Sequence, residues 1–485
     1  MTNVCIIDTI VIYLVGMLLV GFVYSKSNED STDFYLGGRK MGPLVTAMSA
    51  EASDMSSWLL MGLPGLAYLT GIASPGWTAI GLAIGTYLNW LLVAKPLRQY
   101  TKVAGDAITL PEYFKNRFHD ESGWLSVISA VFILVFFLFY TASGFVSCAK
   151  LFSSVFGIPY LVSLAVGAVV VISYTFAGGF FAVCWTDFFQ GLMMFFCVVA
   201  VPLIAIFRMG GPAEFISSVE VFNPNFLSMF VDGATNTPYT AMGIVSLVAW
   251  GLGYFGQPHI LVRFMGISSP AAIKKSRRIA TVWVVISLTA AVMIGVSGRM
   301  VLGDGLLDGN GQQEIIYITM VSKFFPLFIA GIFLSAILAA IMSTADSQLL
   351  VTASALTKDF YHNKIRPQAT EKELMWVSRG CVMGVAVIAV LIATNQNSTV
   401  LGLVSYAWGG FGSAFGPLVL CSLFWKRTNK QGAYAGILVG GIVDLYEIVP
   451  GFVCGLIAIF VVSLLTAAPS KEITDEFDSY RSCEE

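Results

Sequence analysis

The sequence predicts an all-α polytopic membrane protein of about thirteen transmembrane helices. Three observations predict it. Hydrophobic residues make up 56% of the 485 and mean hydropathy is +0.79. Charged residues are only 12%, about half the share usual in soluble domains. The apolar residues also gather in runs long enough to cross a bilayer. Length alone would suggest about three soluble domains, but this distribution fits one membrane unit, 1–485, with the lipid bilayer as its solvent. The net charge of -2 gives no sign of a nucleic-acid partner, and no obligatory protein partner is evident.

The first apolar run, 5–24, has no Lys or Arg before it and no small-residue cleavage site after it, so it reads as a retained span. Further runs follow at 43–70, 77–97, 124–153, 158–180, 187–207, 240–262, 279–301, 324–352, 375–394, 400–425 and 446–467. A thirteenth piece, Ala433 to Val443, holds eleven residues, about 16 Å of helix against a hydrocarbon core of about 30 Å. It reads as a truncated twelfth helix. Thr109-Leu110-Pro111-Glu112 has capping-box spacing and predicts either a short helix or an ordinary connector. Two loops, 209–239 and 302–322, are rich in Gly, Asn and Asp and are placed to cover an entrance. The acidic, polar tail 470–485 predicts disorder. Six of the cysteines fall in or beside apolar runs with no C-x-x-C pair, as reduced packing residues.

Basic residues should gather on the cytoplasmic side. Placing the N-terminus outside and counting thirteen crossings puts 23 of the 27 there, Arg263 among them, and leaves Lys150, Arg208, Arg299 and Lys323 outside. The tail 470–485 is then cytoplasmic.

Charge inside the hydrocarbon region is costly unless it faces a cavity or a partner, which makes Glu51, Asp54, Asp187 and Asp346 functional candidates. Asp54 lies in "SAEASDMSSWLLMGLPG", where Ser49, Ser53, Ser56 and Ser57 supply hydroxyls and Gly62, Pro64 and Gly65 weaken the helix. A broken helix frees carbonyls for a cation and N–H groups for a carboxylate. A kinked helix whose serines bond back to the preceding turn is the plain alternative.

A second interruption, "AWGLGYFGQPHI", holds Gly251, Gly253, Gly256 and Pro258. Paired interruptions point to a transport site between repeats, here 43–208 and 240–425. Trp250 and Tyr254, four apart on one helix face, suit a small apolar ring or plain aromatic packing. In "LSAILAAIMSTADSQLL" the hydroxyls of Ser343 and Thr344 and the Ala340 carbonyl can reach a common ion.

These motifs, with "FAGGFFAVCWTD", "LGLVSYAWGGFGSAFGP" and "LYEIVPGF", resemble the sodium/solute symporter family from about Asp33 to Trp425 and again near the C-terminus. The resemblance implies the LeuT-like fold, two inverted five-helix repeats with peripheral helices at 5–24 and 433–467, in the cell membrane. It implies symport of L-proline into the cell, with the carbonyls of Ala52, Met55 and Ala340 and the hydroxyls of Ser343 and Thr344 as sodium ligands. Asp54 then serves sodium-dependent uptake through water, hydrogen bonding or the local field. Asp187 matches a residue on a second sodium path in some relatives. Ser56, Tyr140, Trp250, Tyr254 and Pro258 match positions tied to proline binding or its gate. Glu51 departs from the family pattern. Another small solute, or proton coupling through Glu51 and Asp54, is the near alternative; a channel or an aspartyl enzyme using Asp54 and Asp346 is the remote one.

Overall fold

The computed structural model describes residues 2–25, 35–175, 179–307, 311–444 and 447–482. Lys26, Asp33, residues 176–178 and the Leu445-Tyr446 pair that opens the last motif lie outside the described residues. The described chain is helical apart from turns, loops and two isolated bridges, Met41 with Ile267 and Val231 with Pro238.

In chain order the helices are α1 (Thr2–Ser25), α2 (Pro43–Asp54), α3 (Trp58–Thr70), α4 (Ala73–Val103), α5 (Leu110–Arg117), α6 (Trp124–Phe156), α7 (Tyr160–Thr175), α8 (Phe180–Arg208) and α9 (Pro212–Phe222). They continue as α10 (Ala241–Gly256), α11 (Pro258–Gly266), α12 (Ile273–Leu302), α13 (Ile316–Phe324), α14 (Leu327–Ile365), α15 (Glu371–Ala393), α16 (Val400–Phe424), α17 (Lys430–Val443), α18 (Ile448–Leu465) and α19 (Lys471–Ser482). Among the described residues nine are long and apolar enough to cross a membrane. The expected spans 43–70 and 240–262 are split in two, because local breakers outweigh the apolar run.

The first split has a local cause. α2 starts on Pro43 and stops at Asp54, Met55 leaves helical geometry at φ -83° and ψ 68°, and the Ser56 N–H turns back to the Asp54 carbonyl at 2.9 Å. The chain resumes as one wide π turn over Trp58–Gly62 just ahead of Pro64, whose missing N–H cannot continue an ordinary ladder. In the second split, α10 tightens to 3-10 geometry over Ala249–Gly256, Gln257 is extended (φ -77°, ψ 106°), and Pro258 opens α11. A residue before proline is pushed toward extended backbone, so the Gln257-Pro258 step sets the break.

The glycines of the second break also act in packing. A Cβ on Gly251 would stand 2.2 Å from the Gly81 carbonyl oxygen, and one on Gly85 2.3 Å from the Gly251 oxygen. The backbones of α4 and α10 therefore touch directly, as small residues allow in membrane helices.

At the periphery the short piece gains three residues at its start, and the expectation for the tail changes. The piece at Ala433 to Val443 is the end of the 14-residue α17, begun by Lys430 and capped by the Asn429 side chain on the Gly432 N–H; it packs with α18 against α16. Residues 471–482 of the tail are folded rather than disordered: Phe477 and Tyr480 of α19 are buried, Tyr480 stacks on Tyr100 at 4.2 Å, and Arg117 lies 5.1 Å over the Phe477 ring. Its composition is polar, but two aromatics three residues apart give it an apolar stripe. α5 forms as the capping box predicts, with the Thr109 hydroxyl accepting from the Glu112 N–H; the Glu112 carboxylate reaches the Ile108 N–H, one residue earlier than the motif specifies.

Candidate functional site

α2 packs against α8, α11, α12 and α14, so its broken end lies among four helices. Its carboxylate Asp54 is 1% exposed. The Tyr254 hydroxyl donates to Asp54 Oδ2 at 2.6 Å, and the Tyr140 hydroxyl donates to the Asp54 carbonyl at 3.1 Å. One break thus holds the other through a side chain, while Asp54 Oδ1 is buried without a partner. Three residues back, Glu51 Oε1 accepts from Trp90 Nε1 at 3.3 Å and Oε2 has no partner.

On α14, Ser343 donates to the Ala52 carbonyl at 2.9 Å and to the Ala340 carbonyl at 3.3 Å. Thr344 beside it is 3% exposed, with its hydroxyl lacking any partner. Ala52, Ala340, Ser343 and Thr344 therefore share one small oxygen-rich region, and Met55 stands at the helix break three residues on. This set of neutral oxygens suits a hard monovalent cation, since no nitrogen or thiolate donor accompanies it. Ser53, by contrast, only bonds back to Ala50 at 3.1 Å, the plain role. Ser56 is buried and accepts from the Trp58 N–H at 3.4 Å, and Ser57 meets Ser147 at 2.6 Å.

Trp250 and Tyr254 do not share a face. Their segment has three residues per turn, so four positions carry Tyr254 about 120° round from Trp250. Trp250 is half-buried and its ring lies 6.5 Å from Trp58, while Tyr254 points inward to Asp54. Trp408 joins them, its ring edge-on to Tyr254 at 4.9 Å and its Nε1 donating to the Trp250 carbonyl at 2.8 Å.

A cavity of about 390 Å³ beside this region is lined in part by Trp58, Trp250, Glu314, Thr399 and Ser405. A separate small cavity of about 10 Å³ is lined in part by Thr109, Pro258, Arg263 and Ser347, and the Thr109 hydroxyl donates to Asp359 at 2.8 Å.

Asp187 belongs to a separate network. Its Oδ2 accepts from Ser49 at 2.6 Å and from Arg263 at 3.1 Å, and Arg263 also donates to Ser49, Ser347 and the His259 carbonyl. Arg263 is 1% exposed, so counting it with the cytoplasmic loops was incorrect: its guanidinium is withdrawn into the protein by a buried carboxylate. Asp346, in the same stretch as Ser347, is buried, with Oδ2 unpartnered. Lys150 is likewise buried, paired with Glu314 at 2.6 Å, and Glu314 also caps α16 at the Val400 and Leu401 N–H groups.

Sequence reasoning passed over Arg263, Gln257, His259, Trp408 and Glu314. Gln257 and His259 carried a signal, as polar residues flanking Pro258 inside an apolar run.

A family model described as the sodium:solute symporter family matches residues 34–440. The high-affinity proline transporter PutP of Bacillus subtilis (strain 168) is 47% identical over 479 residues, covering 96% of this chain and 99% of that protein. The sodium/proline symporter of Escherichia coli (strain K12) is 48% identical, covering 97% and 95%. Among solved structures, a Na+-coupled sialic acid symporter in a substrate-bound outward-open state superposes with a TM-score of 0.80 at 21% identity, covering 96% of this chain and 99% of that one. The fold is thus LeuT-like.

Proposed function

The chain belongs to the sodium:solute symporter family, and on that premise we propose that it carries L-proline into the cell together with sodium by alternating access. The observation that carries this reading is the 47% identity to a proline transporter across nearly the whole of both chains. The site geometry supports it in detail. Sodium is held by the carbonyls of Ala52, Met55 and Ala340 and the hydroxyls of Ser343 and Thr344. Proline lies beside it against Ser56, Tyr140, Trp250, Tyr254 and Pro258, its carboxylate suited to N–H groups freed at the α2 break and its ring to the aromatic walls. Asp54 acts on the ion through its field and fixes Tyr254. For Asp187, the Arg263 pair favours a part in closing the tail-side path over direct ligation of a second sodium.

The two breaks sit in units 43–208 and 240–425, taken as inverted repeats that rock about the shared site. The N-terminus is outside and the tail cytoplasmic, which puts the Glu314 and Thr399 side of the cavity toward the outer face. One charge crossing 100 mV gains about 2.3 kcal/mol, and a tenfold sodium gradient about 1.4 kcal/mol. One sodium per proline could then sustain a gradient of several hundredfold.

Labelled proline uptake into proteoliposomes, with and without an imposed inward sodium gradient, tests the proposal. Sodium-dependent, saturable accumulation is expected; uptake indifferent to sodium sinks it. The unpartnered oxygens of Glu51 and Asp54 favour a second reading, proton coupling, and accumulation driven by a pH gradient in sodium-free buffer would select it.

A further inference from the structure

One cluster of metal-ligating side chains lies outside the transport path. His119, in the turn between α5 and α6, has a left-handed backbone (φ 46°) and stands against α19. Its Nε2 is 3.0 Å from Glu476 Oε2 and its Nδ1 4.0 Å from Glu472 Oε2. Glu472 and Glu476 are one helical turn apart on the same face. One ligand atom from each of the three lies within 4.8 Å of the others.

We propose that His119, Glu472 and Glu476 form a divalent transition-metal site that staples the C-terminal helix α19 to the α5–α6 turn. Metal–nitrogen and metal–oxygen bonds of about 2.0 to 2.2 Å put the ligands of one ion roughly 3 to 3.5 Å apart. His119 and Glu476 already have that spacing. Glu472, 76% exposed at its side chain, contacts the other ring nitrogen, and within the 4.8 Å that bounds the three ligand atoms its carboxylate has to swing inward by up to about 1.5 Å to share one ion. One imidazole nitrogen with two carboxylates suits zinc, cobalt or nickel over sodium or potassium. The site borders a cleft of about 430 Å³ lined by Lys115, Asn116 and Glu121, which leaves room for water at the remaining positions. An ion there offsets the repulsion between the two carboxylates. The rest of α19 is fixed separately, by Phe477, Tyr480 and the Lys426–Asp478 pair.

The test uses the purified full-length protein carrying Cys483→Ser, so that the tail thiol cannot supply a ligand, titrated calorimetrically with Zn²⁺ alone. One saturable equivalent is expected. His119→Ala and Glu476→Gln should abolish it and Glu472→Gln should weaken it about tenfold or more, while Asp478→Asn, which removes only the Lys426 contact, should retain it. Zn²⁺ should also slow proteolytic cleavage within α19 in the parent but not in His119→Ala. The absence of a saturable site, equal binding by His119→Ala, or a loss in Asp478→Asn as large as in His119→Ala would each overturn the proposal. These readouts do not depend on transport, so they stand or fall apart from the coupling assay.

Discussion

Tyr254 donates its hydroxyl proton to Asp54 Oδ2 at 2.6 Å, across the gap between the two broken helices. A hydrogen bond to a carboxylate contributes about 1.5 to 3 kcal/mol, so Tyr254→Phe should raise the proline KM about ten- to a hundredfold. Because the same bond positions Asp54, a cycle of Tyr254→Phe with Asp54→Asn should be strongly non-additive in uptake kinetics. Additive effects would show that the two residues work independently.

Ser343 donates to the Ala52 carbonyl at 2.9 Å. Ser343→Ala removes one proposed sodium oxygen without touching the aromatic walls. The sodium concentration for half-maximal uptake should rise at least about tenfold, while the proline KM at saturating sodium stays near the parent value. The reverse pattern in sodium and proline titrations would reject this assignment.

Asp187 and Arg263 form an ion pair with both side chains nearly fully buried. Removing one member of such a pair costs about 3 to 5 kcal/mol because the other charge is left unpaired. Arg263→Gln or Asp187→Asn alone should therefore lower the melting temperature in nanodiscs more than the two together. A double variant less stable than both singles would contradict this.

Gly251 leaves no space for a methyl group against the Gly81 carbonyl, whereas a Cβ on Gly16 meets nothing within 4 Å. Gly251→Ala should cost about 1 to 3 kcal/mol by forcing α4 and α10 apart, and Gly16→Ala should be near neutral. Equal melting temperatures for the two variants would argue that α10 can shift freely.

Asp120, in the loop before α6, gives a pH-dependent case. Burial pushes its carboxyl up, but hydrogen bonds from Ser122, the Leu125 N–H and Tyr434, with Lys430 nearby, outweigh it and hold the carboxyl below its usual value. A depressed folded value means the carboxylate adds stability above the ordinary aspartate value of about 3.9, and that contribution fades as pH falls toward the folded value. The melting difference between Asp120→Asn and the parent should be constant from pH 7 to 5 and shrink below about pH 4. A difference unchanged at pH 3 would exclude this carboxylate as its source.

The positions of both helix breaks were legible because their causes are local: proline, serine hydroxyls and the residue before proline act within a few positions. Helix pitch was not legible, and pitch decides which face a side chain takes, so Trp250 and Tyr254 do not share the face that α-helical spacing gives them. Arg263 was hidden because nothing near it in sequence announces Asp187, 76 residues away, as the partner that draws it inside. The tail misled for the same reason. Its composition reads as disordered until Tyr100 and Arg117 supply a surface for Phe477 and Tyr480.

That last contact has a consequence for the order in which the protein is made. Tyr100 and Tyr480, stacked at 4.2 Å, are separated by 380 residues, which a ribosome adding about 5 to 20 residues per second takes roughly 20 to 80 s to synthesise. Throughout that interval the aromatic surface around Tyr100 and Arg117 stands uncovered beside the newly inserted helices. The face it belongs to can close only after α19 has left the ribosome.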